Sequence, residues 1–217
     1  MWDGVFALQI MPALISGMWT SLLATAGGAV LALVLGLVAA GLRGVAYIGR
    51  PLGWVLAAIR ATPLLVQLFL LFYGVLPALN ISAPPLLVGI LALGIHYATY
   101  TAEVYRAGIA GVPHGQLEAA RALGLSRAAT FVRIIVPQAV PRSVPALGNY
   151  VVAMLKETPL LSAISVVELF GRAEEVMSDH FRGIEAFTLV GLLFLALSLL
   201  ASAGIRLTER LLPVRHA

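Results

Sequence analysis

Glu118 to Pro137, EAARALGLSRAATFVRIIVP, is basic and alanine-rich, and it lies between segments of nearly unbroken apolar sequence. Pro113 suits the first turn of a helix running to about Leu123, where Gly124 supplies a left-handed stop. Ser126 is placed to cap a second helix reaching about Val136. The spacing therefore predicts a hairpin of two short helices over 113–137. Ala119, Ala120 and Ala122 would leave a shallow helix surface that another protein can approach closely, the plain alternative being an ordinary surface loop.

The surroundings of that hairpin are those of a membrane protein. Hydrophobic residues make up 60% of the 217 and charged residues 11%, against roughly 25% charged in an average soluble domain. The mean hydropathy is +0.98. Cysteine is absent, which excludes disulfides, thiolate metal sites and a cysteine nucleophile. The start, MWDGVFALQIMPALISGMW, is acidic and runs into a long apolar segment, unlike a signal peptide with its basic flank and short core. It is expected to be retained.

Uncharged runs place the spans. A helix needs about 20 apolar residues to cross ~30 Å of hydrocarbon, and no charge falls between Asp3 and Arg43. Span one is expected at about 14–40. The run from Arg60 to Glu103 is divided by LPALNISAPP at 76–85, whose prolines and Asn80 mark a turn, giving spans at about 61–77 and 85–105. Spans four and five are expected at about 144–166 and 186–206, separated by the acidic stretch ELFGRAEEVMSDHFRGIE. With five spans and the N-terminus outside, the inner segments hold Arg43, Arg50, Arg60, Arg106, Arg121, Arg127, Arg133, Arg142, Arg206, Arg210 and Arg215. The outer loops hold only Arg172 and Arg182. This asymmetry predicts a periplasmic N-terminus and a cytoplasmic hairpin and C-terminus. The pI near 9.9 is then a topology signal and needs no nucleic-acid partner.

The hairpin resembles the cytoplasmic-loop motif of ABC importer permeases: E-A-A, three residues, Gly, nine residues, Ile, one residue, Leu-Pro. Glu118, Ala119, Ala120, Gly124, Ile134 and Pro137 match it in place, with Val136 where the motif has Leu. RATPLLVQLFLLFYG at 60–74, YTAEVYRAGI at 100–109 and KETPLLSAISVVEL at 156–169 are similar to segments of polar amino-acid permeases of the histidine/glutamine type. Ala61 stands where that pattern usually has Gly. Within the family, LGIHYATYTAEVYRAGI, GNYVVAMLKETPLLSAISVVEL and FRGIEAFTLVGLLFLALSLL look most like ectoine/hydroxyectoine permease subunits. The resemblance implies an all-α integral membrane chain of the MetI-like fold. It makes the first hairpin helix a coupling helix, with Glu118, Ala119, Ala120 and Gly124 at the ATPase joint.

Polar groups inside the spans are the candidates for the substrate path, because a charge there costs roughly 2.5–3.5 kcal/mol on insertion scales. His96, Tyr100 and Glu103 share one helix face, and Arg106 lies a turn beyond as the expected partner of Glu103. Lys156 and Glu157 are adjacent in span four and point about 100° apart, so each is expected to meet a different partner. Pro159 should leave the carbonyl of Leu155 without its usual donor, an interruption suited to a lined cavity. Gln67, beyond Arg60, Thr62 and Pro63, and Asn149, two turns before Lys156, complete the set. Each of these residues has an equally simple reading as an inter-helix hydrogen bond or ion pair. The glycines of span one suit close helix packing.

His114, His180 and His216 show no metal-ligand spacing. No G-x-x-x-x-G-K-[ST] loop is present, so ATP and Mg are expected on a partner ATPase, with no cofactor in this chain. Taken with the resemblance, the sequence implies an inner-membrane permease subunit for a zwitterionic polar amino acid, with ectoine or hydroxyectoine favoured over glutamate, glutamine, histidine or arginine. It would work with a second permease subunit, identical or homologous, ATPase subunits and an extracytoplasmic solute-binding protein, all in a lipid bilayer. The rivals are an intramembrane enzyme using His96 and Glu103 as an acid/base pair and a passive channel with no ATPase dock.

Overall fold

A computed structural model describes residues 2–211; the topology residue Arg215 and the isolated His216 lie outside them. The described residues form helices and connecting turns. Here α1 is Gly4–Leu42, α2 Ala46–Ala61, α3 Leu64–Ala78, α4 Pro85–Ala110, α5 His114–Ala122, α6 Arg127–Ile164, α7 Leu169–His180 and α8 Gly183–Leu211. Helices α1, α4 and α8 are each long and apolar enough to cross a membrane; α2 with α3 and α6 with α7 form bent pairs, at 105° and 47°.

Helix α1 starts where Asp3 accepts hydrogen bonds from the amides of Val5 and Phe6, well before residue 14. Its longest partner is α4. Lipid tails are as apolar as the side chains, so close packing rather than burial from water must join these helices. Gly36 shows how: a Cβ there would lie 3.0 Å from the backbone of both Ala98 and Ala102. Thr101 Oγ1 donates across this contact to the carbonyl of Ala32 at 2.7 Å.

The central core joins Ala24 and Ala32 of α1, Leu68 of α3, Leu93 and Tyr97 of α4, and Met154 and Leu161 of α6. A second core packs Phe6, Ile10 and Leu14 of α1 against Leu169 and Val176 of α7 and Val190 of α8. Thus α7 lies on the bundle. Two residues of the acidic stretch between the expected spans four and five are buried: Glu168 caps α7, and Glu185 accepts the amide of Asp3 at 3.0 Å.

Two further expectations change. The second hairpin helix is not short: it starts at Arg127, capped by Ser126 Oγ, and continues past Pro137, Pro141 and Pro145 into the expected span four. Phe131–Ile135 is π-helical just ahead of Pro137, which has no N–H to donate to the α-helical ladder. Span two, expected at 61–77, is the short helix α3, roughly 23 Å long at 1.5 Å per residue, preceded by α2, where the sequence had suggested only an inner connection. Residues Leu70–Val75 of α3 are also π-helical.

Candidate functional site

Four helices, α2, α3, α4 and α6, meet near the C-terminal end of α6. Its α-helical turns stop at Glu157, and Thr158–Ile164 continues as 3-10 helix. The carbonyl of Leu155, which Pro159 was expected to leave without a donor, accepts from both the amide and the hydroxyl of Thr158, the latter at 2.9 Å. The interruption expected from Pro159 is present, but its backbone is satisfied. Thr158 itself is fully buried.

Beside this change of helix type lies a cavity of about 470 Å³ whose polar lining includes Arg60, Thr62, His96, Tyr100 and Glu157. Glu157 Oε2 is buried and makes no hydrogen bond of standard geometry, although the Tyr97 hydroxyl lies close to the Glu157 carboxylate. Tyr97, Tyr100 and Tyr150 pack around the same region, with Tyr100 and Tyr150 ring centroids 5.2 Å apart and Tyr97 5.8 Å from Tyr100. Carboxylate and aromatic faces together suit a cationic group. The tyrosines at 97 and 150 were missed in the sequence because each reads as an ordinary core aromatic; Tyr97 is three residues before Tyr100 on α4, but the approach of Tyr150 from α6 exists only after folding.

The other candidate residues are distributed differently. Gln67 spends its amide at the elbow between α2 and α3, where Nε2 donates to Ile59 O at 2.7 Å and to Thr62 O and Oγ1 at 3.1 and 2.7 Å. These acceptors fix the amide orientation, so Oε1 faces His96 Nδ1 at 3.1 Å and Nδ1 must donate. Gln67 therefore clamps a backbone bend as well as a helix pair. Asn149 and Lys156 are exposed on the outer face of α6 and do not line the cavity.

Glu103 does not pair with Arg106. Its carboxylate binds Arg43 at the end of α1 and, at 3.2 Å, Arg60 at the end of α2; Arg60 also donates to the carbonyl of Thr99. Helical spacing nominated the neighbour on the same helix, but two arginines arriving from other elements take both roles. The acid/base pair of His96 and Glu103 accordingly does not form. His96 faces Gln67, and Glu103 is held in a guanidinium cluster.

On the hairpin, Gly124 has φ +69°, and the amides of Gly124 and Leu125 close α5 onto the carbonyls of Arg121 and Ala120. Glu118, Ala119, Ala122 and Leu123 are exposed, whereas Ala120 is 2% exposed. The shallow surface expected from three alanines thus includes Ala119 and Ala122, while Ala120 faces inward. No group of three or more metal-binding side chains occurs among the described residues.

The described residues thus form a helical bundle with three helices long and apolar enough to cross a membrane, a helical hairpin and a polar cavity at a helix interruption. Residues 32–212 match the family described as binding-protein-dependent transport system inner membrane component. The chain is 44% identical over 212 residues to a probable amino-acid ABC transporter permease of Sinorhizobium fredii, covering 97% of this chain and 91% of that one. It is 36% identical to an octopine transport system permease of Rhizobium meliloti, covering 95% and 89%. The crystal structure of an amino acid ABC transporter with histidines superposes with a TM-score of 0.91 at 33% identity, covering 97% of this chain and 99% of that chain. The chain belongs to the polar amino-acid branch of this ABC permease family. It is a permease component of an importer, and ATP hydrolysis resides on a separate subunit.

Proposed function

We propose that this subunit forms half of the inner-membrane path for a zwitterionic polar amino acid, and that Glu157 receives the cargo's cationic group. The observation that carries this reading is the buried, unpartnered Oε2 of Glu157 at the 470 Å³ cavity. An unpaired carboxylate atom away from water is costly, and a cation entering the cavity would offset that cost. The tyrosines beside it favour the same sign of charge. Arg60, on the same cavity, is suited to the cargo carboxylate.

Lys156 and Asn149 take a different place in this scheme. Their exposed face of α6 would be turned toward a second permease subunit, identical or homologous, so Lys156 would act on the carboxylate from the shared side of the path. The ATPase subunits would dock at Glu118, Ala119 and the Gly124 turn, and the solute-binding protein would deliver cargo at the opposite, periplasmic end. Closure of the ATPases on ATP and Mg would drive alternating access through the hairpin.

The relatives named for octopine and for amino acids fit a cargo carrying both signs of charge. Ectoine and hydroxyectoine also fit the chemistry and stand beside glutamate, glutamine, histidine and arginine as candidates. The test is uptake by the reconstituted importer of each labelled compound in turn. Glu157→Gln and Lys156→Met should each lower uptake while complex yield and basal ATPase activity persist. Normal uptake by Glu157→Gln would remove that residue from the path, and loss of assembly in step with uptake would make it a structural group.

A further inference from the structure

A second polar cavity, of about 450 Å³, lies where α1 ends and α2 begins; Arg43, Arg50, Arg106, Gly49, Gly53 and Trp54 form much of its wall. We propose that it holds the phosphate headgroup of an anionic phospholipid.

Charge is the first argument. Arg43 is partnered by Glu103, but its Nε is buried without a hydrogen-bond partner, and neither Arg50 nor Arg106 is in an ion pair among the described residues. Three arginines lining one cavity, with Glu103 bound to one of them from outside the lining, match a phosphate diester in charge and in the donors they offer. The backbone makes room for this arrangement. A Cβ at Gly53 would lie 3.3 Å from the Arg43 guanidinium, so the glycine lets that group lie flat on α2.

Position is the second argument. Helix α2 meets α3 at 105°, so it runs across the direction of the helix that enters the bundle. Only Leu56 of α2 is buried, and Trp54 and Tyr47 are 79% and 93% exposed. An amphipathic helix lying crosswise, with arginines and exposed aromatics, has the composition of a segment resting in the headgroup layer. Basic pockets between membrane helices on the cytoplasmic side suit anionic headgroups. The site requires only that α2 lie at a membrane surface and is independent of the cargo.

Native mass spectrometry of the full chain with its co-purifying subunits, released from nanodiscs of equal phosphatidylglycerol and phosphatidylcholine, tests the proposal. The wild type should retain phosphatidylglycerol preferentially. At about fivefold per surface arginine, Arg50→Gln should lower that retention about fivefold and the Arg50→Gln/Arg106→Gln pair about 25-fold, while Arg210→Gln on α8 leaves it unchanged. Arg50 is exposed, so the single substitution reads the site without disturbing packing, even if the pair fails to assemble. Equal retention of both lipids by the wild type, or undiminished phosphatidylglycerol on Arg50→Gln, would overturn the proposal. Loss of the ATPase subunits with lipid retention unchanged would also overturn it, assigning the surface to a protein partner.

Discussion

Glu168 and Ser21, 147 residues apart in sequence, are joined by a 3.0 Å hydrogen bond from the serine hydroxyl to carboxylate Oε2. The same carboxylate accepts the amides of Phe170 and Gly171, and Ser21 Oγ accepts the amide of Leu169 at 3.2 Å. One fully buried carboxylate thereby caps α7 and fastens it to the middle of α1. Gly17 completes the contact, since a Cβ there would come within 2.7 Å of the Glu168 carbonyl. Replacing Glu168 with Gln exchanges an acceptor for a donor and strands at least one buried amide, at a cost of about 1–3 kcal/mol. The purified complex should lose several degrees of unfolding temperature, measured by thermal denaturation. An unchanged midpoint would show that the network contributes nothing.

The hairpin turn predicts a separation of insertion from coupling. Gly124→Pro demands a φ near −65° where the backbone has +69° and deletes the amide that binds Arg121 O. Glu118→Lys reverses an exposed charge. Both variants should reach the membrane at wild-type level and fail to co-purify with the ATPase. Undiminished ATPase recovery and uptake in both would exclude the coupling role.

A pH effect follows from the start of α1. Arg182 donates to Asp3 Oδ2 at 2.8 Å while lying over the Phe6 ring. That bond, helped by the amides of Phe6 and Val5, holds the Asp3 carboxyl below its ordinary value of 3.8. Because the folded value is the lower one, the contribution is fully present above pH ~4 and disappears as pH falls through the depressed value. Wild type and Asp3→Asn should therefore differ in unfolding midpoint at neutral pH and converge in stronger acid. A difference independent of pH would remove the ion pair as its source.

Orientation has a direct assay because the chain has no native cysteine. Ser178→Cys, exposed on α7, should react with an impermeant thiol reagent in intact spheroplasts. Reaction only after permeabilisation would reverse the proposed topology.

Legibility of the fold in the sequence follows from the range of the forces involved. Uncharged runs marked α1, α4 and α8 because a bilayer penalises charge residue by residue, and Gly124 marked its turn because the left-handed requirement is local. Helix α2 was not legible: Arg50 and Arg60 break its hydropathy, and its place across the bundle direction became apparent only with the 105° bend. The partner of Glu103 was misassigned because spacing sees one helix while Arg43 and Arg60 come from others. Glu168 and Glu185 were read as surface acids because composition cannot reveal that a cap and a neighbouring amide await them. At the candidate site, Glu157 and His96 were visible as costly polar groups, whereas the tyrosine cluster is a property of the assembled bundle.

The continuity of α6 has a mechanical consequence. From Arg127 beside the hairpin turn to Glu157 at the cavity, the chain is one helical rod roughly 45 Å long. A hinge at the end of the hairpin would let α5 swing without disturbing the interior. Displacement at Gly124 would reach the rod's far end, where α-helix gives way to 3-10 helix at Thr158, only through the π turn at Phe131–Ile135 and past Pro137, Pro141 and Pro145. Two irregular turns therefore bracket the long α-helical part of α6, one beside the hairpin and one beside Glu157, so under the proposed function a stroke at the hairpin would be passed between them to the place where cargo would be held.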